Sequence, residues 1–330
     1  MDLETSPWEP RERVEYIWEL AGRGDLTVLS RALLFPAGWQ DEGFGVMTVL
    51  RGLPEADRKA LARLFVEDMA TTQGGPDAHK RGLVLLAAVA SGFADSSWCE
   101  AWEALLRDKA RRFWYSQTDD EMWTCSHALL NASRHLPGEV IGLLRRSAKE
   151  GWRPECMEPV LGRLHGPVLN PGDSWADHVL TELPTLGEPW HALVEHALHA
   201  PMGRPTRTWD RRALGLVDPL DLEQVRHTVA PWLELAADGG GGSDGDYDPY
   251  NLSALVGLTW LLSLLPPHPE SIRTLGALVE RPPLRTPLTG AAVRALARLP
   301  HHLGHPELQR LSTRVRHKVT YRQIHQALER

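Results

Sequence analysis

The residues most suggestive of chemistry lie in Tyr115–Trp123, YSQTDDEMW, where Asp119 and Asp120 stand side by side and Glu121 follows. Adjacent aspartates can hold Mg²⁺ for enzymes that ionise a diphosphate, so one reading is a Mg-dependent enzyme of diphosphate substrates using Asp119 and Asp120. That chemistry needs a second acidic set across a cavity. The later candidates are Asp244, Asp246 and Asp248 in a glycine loop, and Asn251 to Ser253, which lack the further downstream acid. A helix start accounts for the same residues more simply. Thr118 with Glu121 is a T-x-x-E capping box, and Asp119 and Asp120 fall at the first two helical positions, where unpaired backbone N–H groups stabilise carboxylates.

Other constellations are thinner. Asp244-Gly245-Asp246-Tyr247-Asp248 imitates half of a calcium loop, but Pro249 replaces the required glycine and Leu255 stands where a bidentate glutamate should be. His191, Glu195 and His199 form one stripe on the helix WHALVEHALHA, whose Trp190, Leu193, Val194 and Ala197 mark another, buried face. Zinc would need a further ligand from elsewhere, so the stripe reads as solvent-facing. His301, His302 and His305 occupy a proline-bounded turn. Cys125 and His127 are two apart and point in different directions on a helix, which makes Cys125 a small core residue rather than a nucleophile. There is no G-x-S-x-G, P-loop or G-x-G-x-x-G after a strand, and Gly43-Phe44-Gly45 reads as a turn. The sequence therefore predicts no catalytic set, no metal and no cofactor.

Binding residues are easier to nominate. Arg310, Arg314, Arg316, Lys318 and Arg322 concentrate positive charge near the carboxyl terminus, and Arg310 and Arg314 are one helical turn apart. Such a face suits an acidic peptide or a phosphate backbone, unless it is spent on the acidic loop at 244–248. Trp98, Trp175 and Trp260, near helix starts, are the aromatic candidates for contact. Thirteen Trp against five Phe and five Tyr is a skewed set, and because each indole N–H wants an acceptor, some of these rings are expected at partly exposed positions.

The elements that position these residues are all helical by period. Apolar residues recur at three and four, and alternating β-branched runs are missing. Ser97-Trp98-Cys99-Glu100 is a capping box; Asp173 and Ser174 precede Trp175; Asp248-Pro249 places a cap before a proline. Gly22 and Gly24 close the first helix, Gly151 closes another, and prolines 137, 184, 201 and 266 punctuate the rest. Short links between helices of about ten to eighteen residues make neighbours antiparallel. Pro269-Glu270 and Pro306-Glu307 stand 37 residues apart, each opening a helix, a spacing between the tetratricopeptide and HEAT periods.

At 330 residues, 42% hydrophobic and 24% charged, the chain is globular in composition. A net charge of −7 disfavours nucleic acid and anionic membranes as general partners. Isolated Cys99, Cys125 and Cys156 suit a reducing compartment, the charged amino terminus does not resemble a signal peptide, and the Leu252–Leu265 run is too short to span a bilayer. A cytoplasmic location is expected.

From Asn251 onward, the words NLSALVGLTWLLSLL, TLGALVERPP, AAVRALARL and LQRLSTRVRHKVTYRQIHQALER resemble the HEAT-like helical segment that precedes the MolR-like domain of unknown function in large bacterial proteins. The resemblance covers the last quarter of the chain. It implies a helical solenoid and supplies no catalytic residues. The chain stops at Arg330, where those proteins continue.

Together these readings predict an all-α, right-handed α-solenoid of stacked antiparallel helix pairs, one array over 1–330 with a soft boundary near 201–209 and a flexible acidic loop at 238–250. The expected role is a non-enzymatic protein- or peptide-binding scaffold. The alternatives are the diphosphate enzyme above and a DNA-acting HEAT-like protein of base-excision type.

Overall fold

The structure is a computed structural model that describes residues 10–34, 43–71, 76–112, 120–150, 154–239, 247–280 and 287–329. Among them every regular element is a helix. The chain divides into two compact units, Met1–Gly166 and Pro167–Arg330.

The first unit carries α1 (Pro10–Arg23), α2 (Leu26–Leu34), α3 (Gly43–Gly52), α4 (Glu55–Thr71), α5 (Pro76–Val89), α6 (Ser96–Arg112), α7 (Asp120–Asn131), α8 (Gly138–Glu150) and α9 (Pro154–Leu161). Odd-numbered helices pack in succession, α1 on α3 and onward to α9, while α2 packs on α4 and α6 on α8. Two layers result, with Ile17, Leu29, Phe65, Trp102 and Leu144 buried between them. Gly43 to Gly45 open α3 instead of forming a turn. The reason is contact: a Cβ on Gly45 would sit 2.8 Å from Val14 Cγ2, so glycine lets α3 lie against α1.

The second unit carries α10 (Ser174–Leu186), α11 (Glu188–Leu198), α12 (Arg207–Val217), α13 (Leu222–Ala237), α14 (Asn251–Leu262), α15 (Pro269–Glu280), α16 (Pro287–Arg298), α17 (His305–Arg314) and α18 (Lys318–Leu328). One layer runs α10, α13, α15, α17, and the other runs α11, α14, α16, α18, each helix packing on the next. Helix α12 packs on α11, and Asp210 ties it to Arg298 of α16. Both Pro-Glu pairs open helices as expected, and those helices, α15 and α17, pack on each other. Helix α14 has no polar face because it is buried all round. Its approach to α11 is close: a Cβ on Gly257 would lie 2.6 Å from Ala197 Cα.

Several helix signals are moved by competing groups. The cap of α6 is Asp95, whose Oδ1 accepts from Trp98 N at 2.9 Å, so the Ser97 box is not the start. Pro184 lies within the last turn of α10 rather than after it; the helix stops at Gly187, where φ is +89°. Pro201–Pro205 falls inside the second unit, between α11 and α12, whereas the two units divide at Gly166 and Pro167. The five carboxyl-terminal basic residues do not share one helix: α17 ends at Arg314, Arg316 lies in the connection, and Lys318 and Arg322 are on α18. Among the described residues no helix is long and apolar enough to cross a membrane.

Candidate functional site

Three helices of the second unit each direct one stripe toward a shared cleft of about 560 Å³. Helix α13 contributes Glu234 and Ala237, with Asp238 just past its end; α15 contributes Arg273, Ala277 and Glu280; α17 contributes Arg310 and Arg314. The stripes follow helical spacing. Arg273, Ala277 and Glu280 stand at i, i+4 and i+7, opposite the buried Leu275, Leu278 and Val279.

Three arginines here face three carboxylates, and most are already fixed. Glu280 accepts from Arg310 at 2.7 Å and from Arg314 at 2.9 Å, and Arg310 also reaches Glu307 at 2.6 Å. These hydrogen bonds from Arg310 and then Arg314 hold the Glu280 carboxyl down to about 2, and the acids push the Arg310 guanidinium well above its usual range. Thr274 Oγ1 donates to Glu234 Oε1 at 2.9 Å. Arg273 is exposed and makes no hydrogen bond or ion pair with another described residue. The cleft therefore offers one uncommitted cation within a fixed frame of both charges.

The nominated residues separate in this structure. Arg310 and Arg314 line the cleft, but neutralised by Glu280 and Glu307, so the free basic stripe is corrected to a mixed-charge wall. Arg316, Lys318 and Arg322 remain exposed, beside Val319 and Tyr321. Trp175 and Trp260 are 0% and 1% exposed and belong to the core, which removes them as contacts; their hydrophobic burial outweighs two indole N–H groups that find no acceptor. Trp98 is half-buried against the first unit's core. Among the described residues the most exposed tryptophan is Trp18, at 67%. Sequence reasoning passed over Arg273, Glu234 and Glu280, although the α15 polar stripe was available as a signal.

The acidic stretch Tyr115–Trp123 lies partly outside the described residues: Thr118 and Asp119 are not among them, and Asp120 opens α7. Glu121 has a tertiary role. It receives Lys80 at 2.6 Å and Lys109 at 3.5 Å, so two ammonium groups neutralise its carboxylate. Burial lowers the Lys109 ammonium and the Glu121 charge partly restores it. Cys125 is fully buried and its thiol is pushed up to about 12 by desolvation, so it is no thiolate at neutral pH. His191, Glu195 and His199 are exposed as expected. Among the described residues no three His, Cys, Asp or Glu side chains gather as a metal site requires.

Of the acidic loop, 240–246 lies outside the described residues, and its end is built in rather than solvated. Tyr247 donates to Ala236 O at 2.5 Å, and Asp248, fully buried, caps α14 by accepting from Tyr250 N at 2.8 Å and Asn251 N at 3.3 Å. Asn170 Nδ2 donates to the same carboxylate at 3.1 Å, and Asp173 Oδ2 accepts from Asp248 N at 3.2 Å. Asp248, the last residue of the stretch read as half a calcium loop, is thus part of a polar staple between the starts of α10 and α14, while Asp244 to Asp246 lie outside the described residues. No family model matches the chain, and no curated protein matches it.

Proposed function

We propose that the chain is a non-enzymatic scaffold of HEAT-like stacked helix pairs that binds a peptide or an extended protein segment in the α13–α15–α17 cleft. The observation that carries this reading is the composition of the lining. Pockets for small substrates are mostly apolar with a few placed polar groups, whereas this cleft has only Ala237 and Ala277 among charged side chains of both signs. An extended peptide answers such a surface, because its backbone presents donors and acceptors and its side chains carry charge in either sign. Preformed Arg310–Glu280–Arg314 pairing keeps the walls in place, which lowers the ordering cost of association. Helices that present successive stripes to one surface are the general device of solenoid recognition, and the 37-residue echo of α15 and α17 fits that repeat reading.

The test is selection from a random peptide display library on the immobilised chain, followed by titration of the recovered peptides. Peptides with micromolar affinity that lose at least about tenfold on Arg273→Glu, a change of about 1.4 kcal/mol, support the proposal. Peptides that bind the variant as well as the parent contradict it.

A further inference from the structure

The connection from α16 to α17 sets two imidazoles against each other. Nδ1 of His302 lies 3.2 Å from Nε2 of His305, and the ring centroids are 4.5 Å apart with the planes at 62°. The nitrogens are nearer than the ring centres and so lean inward, yet a head-on pair would hold the centres farther apart still. The two nitrogens therefore meet at an angle. Neither ring makes another hydrogen bond or an ion pair with a described residue, and the closest acid in sequence, Glu307, is taken by Arg310.

The backbone that presents the pair is held in an unfavourable conformation. His301 and His302 have φ of +55° and +57°, in the left-handed region that side chains other than glycine rarely adopt. Two such residues in succession persist only where the surroundings enforce them. Here Leu299 and Leu308 are buried on either side of the turn, and a Cβ on Gly304 would overlap the backbone oxygen of Leu296. Leu303 N also donates to Pro300 O at 3.2 Å, and Pro306 fixes the first turn of α17. Packing thus sets where the two imidazoles stand before any ligand arrives.

We infer that His302 and His305 form an open, two-histidine site for a divalent transition-metal ion of the zinc class. Imidazole suits zinc, nickel and copper. At metal–nitrogen distances of about 2.0–2.1 Å, two nitrogens 3.2 Å apart subtend an angle of roughly 100° at the ion, close to tetrahedral. The proton that one ring directs at the other moves to that ring's outer nitrogen, so both rings stay neutral and each gives the ion a lone pair. Two protein ligands leave the remaining positions to water, which makes the ion exchangeable and sets this pair apart from the three-ligand sets absent among the described residues. Neither histidine lines the α13–α15–α17 cleft, so the site does not depend on peptide binding there.

Isothermal titration of the metal-free chain with Zn²⁺ in a non-coordinating buffer tests it, with Mg²⁺ as the control. One Zn²⁺ per chain should bind, and Mg²⁺ should bind at least about a hundredfold more weakly. His302→Ala and His305→Ala should each weaken Zn²⁺ binding at least about tenfold, because either removes half of the chelate. His227→Ala serves as the comparison: His227 and His268 lie 3.3 Å and 3.8 Å from Glu270 Oε2 as ion-pair partners, and its loss should leave Zn²⁺ affinity within about twofold. A second readout is the electron paramagnetic resonance of one equivalent of Cu²⁺, which should show two nitrogen ligands in the parent and one in either variant. No stoichiometric Zn²⁺ site, binding unchanged in both variants with helix content intact by circular dichroism, or loss of binding in His227→Ala alone, overturns the inference.

Discussion

Asn251 grips the backbone of Asn170 from both sides: its Oδ1 accepts from Asn170 N, and its Nδ2 donates to Asn170 O, each at 2.8 Å. Both residues are fully buried, 81 positions apart in sequence, and the same Nδ2 also reaches Asp173 Oδ2 at 3.2 Å. A side-chain amide carries an acceptor and a donor side by side and so pairs with a peptide unit in this reciprocal way. It fixes the entry of α10 against the start of α14.

Replacing it should be expensive. Asn251→Ala strands a buried N–H and a buried carbonyl on Asn170 and is expected to cost about 3 kcal/mol, read as a fall in the urea midpoint at constant slope. Asn251→Asp keeps the acceptor, loses the donor and adds a third carboxylate to Asp173 and Asp248. Its deficit should shrink as pH falls from 7 to 5.

His127 provides a pH signature for the first unit. Burial, then the charges of Arg51 and Arg163, lower its imidazole to about 4, and Asn131 Nδ2 donates to Nδ1 at 3.2 Å, which requires that nitrogen unprotonated. The unfolded chain takes up this proton near 6.5 and the folded chain only near 4. The contribution is therefore present above 6.5 and is lost as pH falls between those values. His127→Gln should flatten the stability profile between pH 6.5 and 4, and the imidazole resonance of the parent should titrate near 4. A midpoint at the ordinary value would refute the assignment.

Glu280 governs a more acidic window. Its carboxyl is held at about 2 by Arg310 and Arg314, below the ordinary 4.5, so its pairing is intact above 4.5 and is lost as pH drops toward 2. Solvent reaches these groups, which keeps the effect modest. Glu280→Gln is expected to leave stability at neutral pH within about 1 kcal/mol and to remove part of the acid dependence below 4.5.

Close packing of α11 and α14 rests on the absence of a side chain. Gly257→Ala would press a methyl group onto the Ala197 backbone, which cannot rotate away, and should destabilise by about 1–3 kcal/mol despite its better helix propensity. Gly215→Ala, on exposed α12 with open space around its Cβ, should be neutral or stabilising in the same thermal melt.

The helical period was legible because apolar spacing is a local property: the buried face of α11 and the exposed His191–Glu195–His199 stripe lie where the pattern puts them. Asp173 and Asp248 were legible as helix-start residues, but not as buried partners of Asn170 and Asn251, since reciprocal pairing across 81 residues leaves no local trace. Arg310 and Arg314 show the same limit from the other side. Their charge and spacing are plain in the sequence, yet what neutralises them is Glu280, 30 and 34 residues earlier. Trp175 and Trp260 misled because the indole N–H was weighed more heavily than the area of the ring; both lie in the core without an acceptor. Arg273 was overlooked because a lone arginine becomes notable only when its neighbours are seen to be committed.

Occupancy of the α13–α15–α17 cleft is tested most directly by placing a photo-crosslinking amino acid at Ala277, within the lining, and another at Leu214, exposed on α12, and irradiating each with a display-selected peptide. Crosslinking from position 277 that disappears with Arg273→Glu, and none from position 214, is the predicted result. Equal crosslinking from both positions, or none from 277 under conditions where the peptide is bound, would contradict peptide recognition in this cleft.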